Sequence, residues 1–209
     1  MSNYFVIEGQ AGAGKTPLIK EMVEHLNRCG YKAVSCAPFT LANQWIKSDK
    51  YPLGIYHFWH ESIEKAREAE FILKKYMDDI LKEQNDIVIF DRGWLTICMG
   101  LLESALPENE KIERIHFWKE QKQSTFFLDT DPQITQNRQS WNPMVPWTNE
   151  NIDTDFNNRR MYIQEYSSLL GRHKVVENRI DLVTLAKSWS EIIVEELTLI
   201  NSVMSNNKL

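Results

Sequence analysis

Short apolar runs alternate along the chain with longer segments in which apolar residues recur every three to four positions. The short runs predict five strands, near Tyr4–Glu8, Ala33–Ala37, Ile87–Asp91, Thr125–Asp129 and Lys174–Glu177. The longer segments predict helices near Lys15–Cys29, His57–Lys82, Leu95–Ser104, Glu110–Gln121, Pro132–Gln139, Thr154–Leu170 and Leu182–Val203. Strands that alternate with helices in this way are typical of an α/β protein, in which helices cover a parallel sheet.

Composition and charge are those of an ordinary globular domain, with 43% hydrophobic and 25% charged residues and a formal net charge of −5. This charge disfavours a general polyanion-binding surface, so we expect no nucleic-acid polymer as a partner. Cys29, Cys36 and Cys98 have no metal-ligand spacing, and an odd number cannot form a complete disulfide framework. Because no signal peptide or membrane-spanning run is apparent, we expect a cytoplasmic protein with no membrane partner. The length of the chain predicts a single domain over residues 1–209.

One motif in the sequence predicts phosphate binding. Residues 9–16 read Gly-Gln-Ala-Gly-Ala-Gly-Lys-Thr, a full match to G-x-x-x-x-G-K-[ST] between a predicted strand and a predicted helix. In such a loop the backbone amides face the phosphates, Lys15 reaches the β- and γ-oxygens, and the Thr16 hydroxyl binds Mg²⁺. The residues expected to bind ATP are Gly9, Ala11, Gly12, Ala13, Gly14, Lys15, Thr16 and Pro17.

Charged residues at the ends of the first and third predicted strands are further candidates for the site. Asp91 and Arg92 follow an apolar run, and ligands bind at the carboxyl ends of parallel strands, so Asp91 should face the phosphate loop. The Asp91 carboxylate can hold Mg²⁺ through water or accept a proton, and Arg92 can span phosphoryl oxygens. A structural salt bridge is the alternative for this pair. Glu8, which ends the first strand, is expected to orient an acceptor hydroxyl or metal-bound water, or else to cap the loop.

Taken in order, these pieces resemble the thymidylate kinases and the related deoxynucleoside kinases. Phe5–Thr16 resembles the opening of thymidylate kinases, and Ile87–Arg92 resembles their strand that ends in Asp-Arg. Phe126–Pro132 followed by Arg138 resembles their fourth strand and the start of their lid, and Tyr162–Leu170 resembles the helix after the lid. The resemblance covers most of the chain.

The resemblance implies a P-loop NTPase-type three-layer fold, with a five-stranded parallel sheet of order 2-3-1-4-5. It also implies a flexible lid, placed at about 138–160, that carries arginine and closes over ATP. Arg138 is expected to neutralise charge on the transferred group, and Arg159 or Arg160 either reaches that group or lies on the solvated surface. Since related kinases often pair through the helices that flank the sheet, a homodimer is left open.

The chain departs from the resemblance at the acceptor site. Deoxynucleoside kinases follow strand two with Glu-Pro and then a tryptophan, and the glutamate serves as general base. Here Ala37 stands in the place of that glutamate, whereas Pro38 and Trp45 are kept. A phosphate acceptor is already ionised and needs no base, so Ala37 agrees with a nucleoside monophosphate as the acceptor.

Aromatic residues and histidines are concentrated between Trp45 and His60, a stretch that would lie beside the acceptor cleft. Their rings can stack on a base there, or else belong to the core. The expected acceptor-binding residues are Phe39, Trp45, His57, Trp59, Arg92, Arg159 and Arg160.

Three functions remain open at this point. The first is an ATP- and Mg²⁺-dependent kinase of the thymidylate kinase type, which phosphorylates dTMP or a related nucleotide with Lys15, Arg92 and Arg138 neutralising the transferred charge. The second is a kinase for the hydroxyl of a nucleoside or small metabolite, with Asp91 or Glu8 as base. The third is a P-loop ATPase or switch protein, against which the Asp91-Arg92 ending argues.

Overall fold

The computed structural model describes residues 3–10, 12–48, 50–51, 53–120, 124–130, 174–177 and 181–206. The predicted lid at about 138–160 and the helices predicted near Pro132–Gln139 and Thr154–Leu170 lie outside these residues. So do Ala11, Arg138, Arg159 and Arg160.

The described residues form a parallel sheet and the helices around it. The elements in chain order are β1 (Asn3–Gly9), α1 (Lys15–Arg28), β2 (Ala33–Cys36), α2 (Pro38–Ile46), α3 (Ile55–Glu61), α4 (Ile63–Lys82), β3 (Ile87–Asp91), α5 (Trp94–Glu103), α6 (Glu108–Glu120), β4 (Ser124–Asp129), β5 (Lys174–Glu177) and α7 (Leu182–Asn206). The strands lie in the order β2-β3-β1-β4-β5, and each pairing between them is parallel. The predicted α/β class with a parallel sheet is confirmed, and the strand order is the one that the resemblance implies. Every helix in the described ranges is too short or too polar to span a lipid bilayer.

Strand β1 lies at the centre of the sheet and sets the position of the site. Its Ile7 pairs with Asp91 of β3, and its Gly9 pairs with Leu128 of β4. Because all the strands are parallel, their carboxyl ends meet at one edge of the sheet. The loop that leaves β1 therefore starts directly beside the end of β3.

The sheet has a hydrophobic core on each face, because successive strand residues point to opposite sides. Phe5 and Ile7 pack with α1 and α7 in one core, where Trp189 stacks on Phe126 at 5.0 Å between ring centroids. Val6 belongs to the other core, which α2 to α6 cover. The result is a helix–sheet–helix arrangement.

The helices differ from the prediction in two places. The single helix predicted near His57–Lys82 is two helices, because Ser62 is extended with φ −161° and ψ 167°. The Ser62 hydroxyl accepts a hydrogen bond from the Lys65 amide at 3.2 Å and so caps α4. Helix α2 was not predicted, although Pro38 occupies a first-turn position that favours a helix start.

Candidate active site

The loop between β1 and α1 requires glycine at fixed places. Gly9, Gly12 and Gly14 have φ values of 149°, 79° and 95°, a region that residues with a side chain rarely adopt. A Cβ on Gly9 would also lie 2.6 Å from the Leu128 carbonyl oxygen on β4. The glycine spacing read in the sequence is therefore a requirement of the backbone.

Lys15 is held inside this loop. Its side chain is buried, and Nζ donates hydrogen bonds to the carbonyl oxygens of Gly9 at 3.0 Å and Gln10 at 2.8 Å. The Ala13 amide donates to the Gln10 carbonyl at 3.2 Å, and the Thr130 hydroxyl donates to the Ala13 carbonyl at 3.2 Å. These contacts hold the Lys15 ammonium group against the carbonyl oxygens of the loop. Pro17 lies exposed in the first turn of α1.

Thr16 and Asp91 meet at the mouth of the loop. The Thr16 hydroxyl, in the first turn of α1, donates to Asp91 Oδ2 at 2.6 Å. Asp91 ends β3, so the register of the parallel sheet places it opposite the loop as the sequence predicts. Hydroxyl and carboxylate oxygens are hard donors that suit Mg²⁺.

Thr16 and Asp91 fit Mg²⁺ because this ion needs few ligands from the protein. The described residues contain no group of three or more His, Cys, Asp or Glu side chains that could hold a metal. Mg²⁺ commonly binds one or two protein oxygens and completes its shell with water and substrate phosphates. Thr16 and Asp91 are the donors that would hold the ion at this site.

Arg92 adopts an unusual backbone conformation, with φ 67°, the only positive φ of a non-glycine residue in the described ranges. Its amide donates to the Ile7 carbonyl at 3.0 Å, and its Nη1 donates to the Tyr56 hydroxyl at 2.6 Å. The Tyr56 ring stacks on Phe39 with centroids 5.9 Å apart and an interplanar angle of 20°. Sequence reasoning did not single out Tyr56 as a partner of Arg92; its place in the aromatic stretch was the available signal.

Glu8 is fully buried and has a structural role. Its Oε1 accepts hydrogen bonds from the amides of Gly93 at 2.9 Å and Thr96 at 3.3 Å, and its Oε2 accepts one from the Thr96 hydroxyl at 2.7 Å. These donors belong to the first turn of α5, where a carboxylate satisfies amides that have no partner within the helix. The expected catalytic role is corrected accordingly, since the carboxylate is enclosed and occupied by the helix.

Replacing Glu8 by glutamine is expected to destabilise the fold by about 1–3 kcal/mol, because the new amide group would face a donor inside the protein. Chemical denaturation measures this loss. Glu103→Gln, on the exposed end of α5, is the matched control and should leave stability unchanged. A Glu8→Gln variant of normal stability but without activity would restore the catalytic role.

The acceptor candidates divide between core and surface. Trp59 is 1% exposed and packs so closely on Gly100 that a Cβ there would lie 2.6 Å from its ring. We correct its expected role in binding, because a ring enclosed in this way cannot stack on a ligand. Phe39 is also buried, beneath Tyr56, whereas Trp45 is 81% exposed on α2. His57 is half-buried and lines a separate cavity of about 250 Å³ on α3, whose lining includes no residue of the phosphate loop.

A cleft of about 320 Å³ adjoins the Thr16–Asp91 pair. Its lining residues are Thr16, Ile19, Lys20, Val23, Glu24, Ser35, Cys36, Ala37 and Asp91. Ala37 contributes no carboxylate at the position where the resemblance has a base. Burial raises the pKa of the Cys36 thiol to about 11, so this thiol stays protonated at neutral pH and is a poor nucleophile. Asp91 is the acidic group of the cleft that contacts the loop threonine.

Comparison with known proteins defines the class of fold. No protein-family model and no curated protein sequence matches the chain. The fold is nevertheless similar to that of several proteins of known structure, among them deoxyadenosine kinases.

Three of these structures cover nearly the whole chain. A deoxyadenosine kinase from M. mycoides with the products dCMP and dCDP bound aligns over 94% of this chain and 99% of its own, with TM-score 0.57 and 18% identity. The same kinase with bound dATP covers 94% and 99%, with TM-score 0.55 and 16% identity. The YorR protein from Bacillus subtilis, in complex with phosphorylated GDP, covers 96% and 98%, with TM-score 0.52 and 13% identity. At these identities the likeness shows a shared fold.

Proposed function

We propose that the protein is an ATP-dependent phosphotransferase that moves the γ-phosphoryl group of ATP to a nucleoside monophosphate, dTMP or a related nucleotide. The observation that carries this proposal is the 2.6 Å contact between Thr16 and Asp91 at the mouth of a complete phosphate-binding loop. It supports a site that presents a buried ammonium group, loop amides and a hard-oxygen pair to one triphosphate. A cytoplasmic location and small-molecule partners belong to the same proposal.

The chain's own groups would act by positioning and electrostatics, because phosphoryl transfer asks little covalent chemistry of the protein. The loop amides and Lys15 would hold the β- and γ-phosphates, and Arg92 would meet the acceptor or the transferred group. Thr16 and Asp91 would hold Mg²⁺, and the ion would supply charge neutralisation. Arg138, Arg159 and Arg160 are proposed to contribute from the lid.

The phosphate acceptor is favoured because both carboxylates expected to act as a base, Asp91 and Glu8, are engaged by other hydrogen bonds. Glu8 caps α5, Ala37 has no acidic group, and Asp91 is engaged by Thr16. A monophosphate needs no base because its oxygen is already ionised. The same groups would serve a hydroxyl acceptor poorly.

A second function, phosphorylation of a nucleoside hydroxyl, is favoured by the fold shared with the deoxyadenosine kinases. Asp91 would then be the base, since it is the carboxylate nearest to the loop among the residues that line the cleft. Both functions require the same loop and the same metal pair. They differ in the acceptor.

Incubation of the protein with ATP, Mg²⁺ and a panel of nucleosides and their monophosphates tests both functions. We expect nucleoside diphosphate to form from a monophosphate acceptor, as detected by mass spectrometry of the products. Product from unphosphorylated acceptors alone would reject the leading function in favour of the second. ATP hydrolysis without any phosphorylated product would reject both and indicate an ATPase.

A further inference from the structure

Arg92 and Tyr56 form a contact outside the phosphate-binding motif. The backbone of Arg92 in this contact is in the left-handed conformation. A left-handed conformation is unfavourable for a residue with a side chain. Such conformations persist where the surroundings fix them, and they cluster at functional sites. Here the Arg92 amide is bonded to Ile7 of β1, and the next amide, of Gly93, is bonded to Glu8. The backbone of Arg92 is thus anchored to the strand from which the phosphate loop departs.

The side chain of Arg92 is anchored at its other end. Its Nη1 donates to the Tyr56 hydroxyl at 2.6 Å in a half-buried contact, and hydrogen bonds from a charged donor are stronger than neutral ones. A guanidinium group carries five N–H donors, and the bond from Nη1 to Tyr56 uses one of them.

Tyr56 is itself held by its surroundings. Its ring stacks on Phe39 of α2, which is buried. Helix α3 starts at a fixed place, because the Ile55 amide donates to Asn43 Oδ1 at 2.8 Å. Asn43 belongs to α2, so α2 and α3 together set the position of the Tyr56 hydroxyl.

From this geometry we infer that Tyr56 is a positioning residue, which orients the Arg92 guanidinium towards the phosphoryl group. The inference rests on the proposed phosphoryl transfer at the Thr16–Asp91 site. Tyr56 acts through Arg92 and need not touch either substrate. A preoriented guanidinium loses less side-chain entropy when it meets an anion.

The kinetic test is Tyr56→Phe, which removes the hydroxyl and keeps the ring stacked on Phe39. We expect kcat/KM for the acceptor to fall about 10- to 100-fold, the range for losing a hydrogen bond from a charged group, while KM for ATP stays unchanged. Tyr76→Phe is the matched control, because Tyr76 is half-buried against the same core and its hydroxyl has no hydrogen bond in the described part of the chain. Arg92→Ala should abolish the effect, so that Tyr56→Phe in that background changes nothing further. The inference would be overturned if Tyr56→Phe lowered kcat/KM for the acceptor equally in the wild-type and Arg92→Ala proteins, or did not lower it at all.

A second measurement needs no turnover. Nitrogen-edited NMR of the ligand-free protein follows the guanidinium protons of Arg92, assigned by their disappearance in Arg92→Ala. Their exchange with water should accelerate in Tyr56→Phe and stay unchanged in Tyr76→Phe. Equal exchange in all three proteins would overturn the inference. A wild-type protein that transfers phosphate to no acceptor would reject the proposed function, while this NMR comparison would still report on the contact.

Discussion

Replacing Lys15 by alanine is expected to lower kcat/KM for phosphoryl transfer about a thousandfold, the upper end of the loss that follows removal of one preorganised donor. The Lys15 ammonium is held by the carbonyls of Gly9 and Gln10, so its position is set before any nucleotide arrives. Water entering the vacated space would be a weaker and more mobile donor than a fixed positive charge. Steady-state kinetics with saturating acceptor and varied ATP measure the effect.

Two controls make the Lys15→Ala result interpretable. Lys187→Ala changes an exposed lysine on α7, away from the loop, and should leave activity at the wild-type level. The Lys15 variant leaves two loop carbonyls without that donor, so a stability loss of about 1 kcal/mol is expected, which circular dichroism during thermal unfolding would detect. A folded Lys15→Ala protein with wild-type activity would contradict the proposed site.

The phosphate loop could be predicted from the sequence because its information is local. Gly9, Gly12 and Gly14 permit the positive φ angles that the loop adopts, and the motif that contains them is contiguous in the sequence. The strands could be predicted for a related reason, since a strand buried on both faces is a continuous apolar run such as Ile87–Phe90. Neither inference needed knowledge of a distant contact.

The break at Ser62 and helix α2 were missed because the local sequence is ambiguous at both places. Ser62 stands within a continuous run of helix-compatible residues, and only the extended backbone there shows that it caps α4. A single serine in such a run is compatible with both a helix interior and a helix start. Helix α2 has nine residues, too few for a clear apolar period.

The site residues that sequence reasoning misassigned depend on contacts between distant parts of the chain. Glu8 bonds to Thr96, 88 positions away, and no local pattern tells which helix start a carboxylate will cap. A tryptophan can either stack on a ligand or belong to the core, and the sequence does not distinguish these roles for Trp59. Its close packing on Gly100 shows that it belongs to the core. By contrast, the meeting of Thr16 with Asp91, 75 positions apart, could be predicted, because parallel sheets place strand ends at one edge.

The contact between Thr16 and Asp91 gives the second prediction of a large effect on activity. Asp91→Asn should lower phosphoryl transfer about a hundredfold and raise the Mg²⁺ concentration needed for half-maximal activity, because an amide oxygen is a weaker ligand for a hard cation than a carboxylate. Thr16→Val should act in the same direction, since it removes the hydroxyl that lies 2.6 Å from Asp91 Oδ2. A Mg²⁺ titration of the initial rate measures both changes.

The two substitutions separate a metal pair from a structural hydrogen bond. If both oxygens hold one ion, the double variant should lose little more than the worse single variant, and Thr16→Ser should keep most of the activity. Asp79→Asn, an exposed carboxylate that pairs with Lys82 on α4, is the matched control and should leave the Mg²⁺ requirement unchanged. If the contact were only a structural link, Asp91→Asn would lower stability while the Mg²⁺ titration kept its midpoint. An unshifted midpoint would therefore exclude these residues as the metal donors, even in a protein that transfers phosphate.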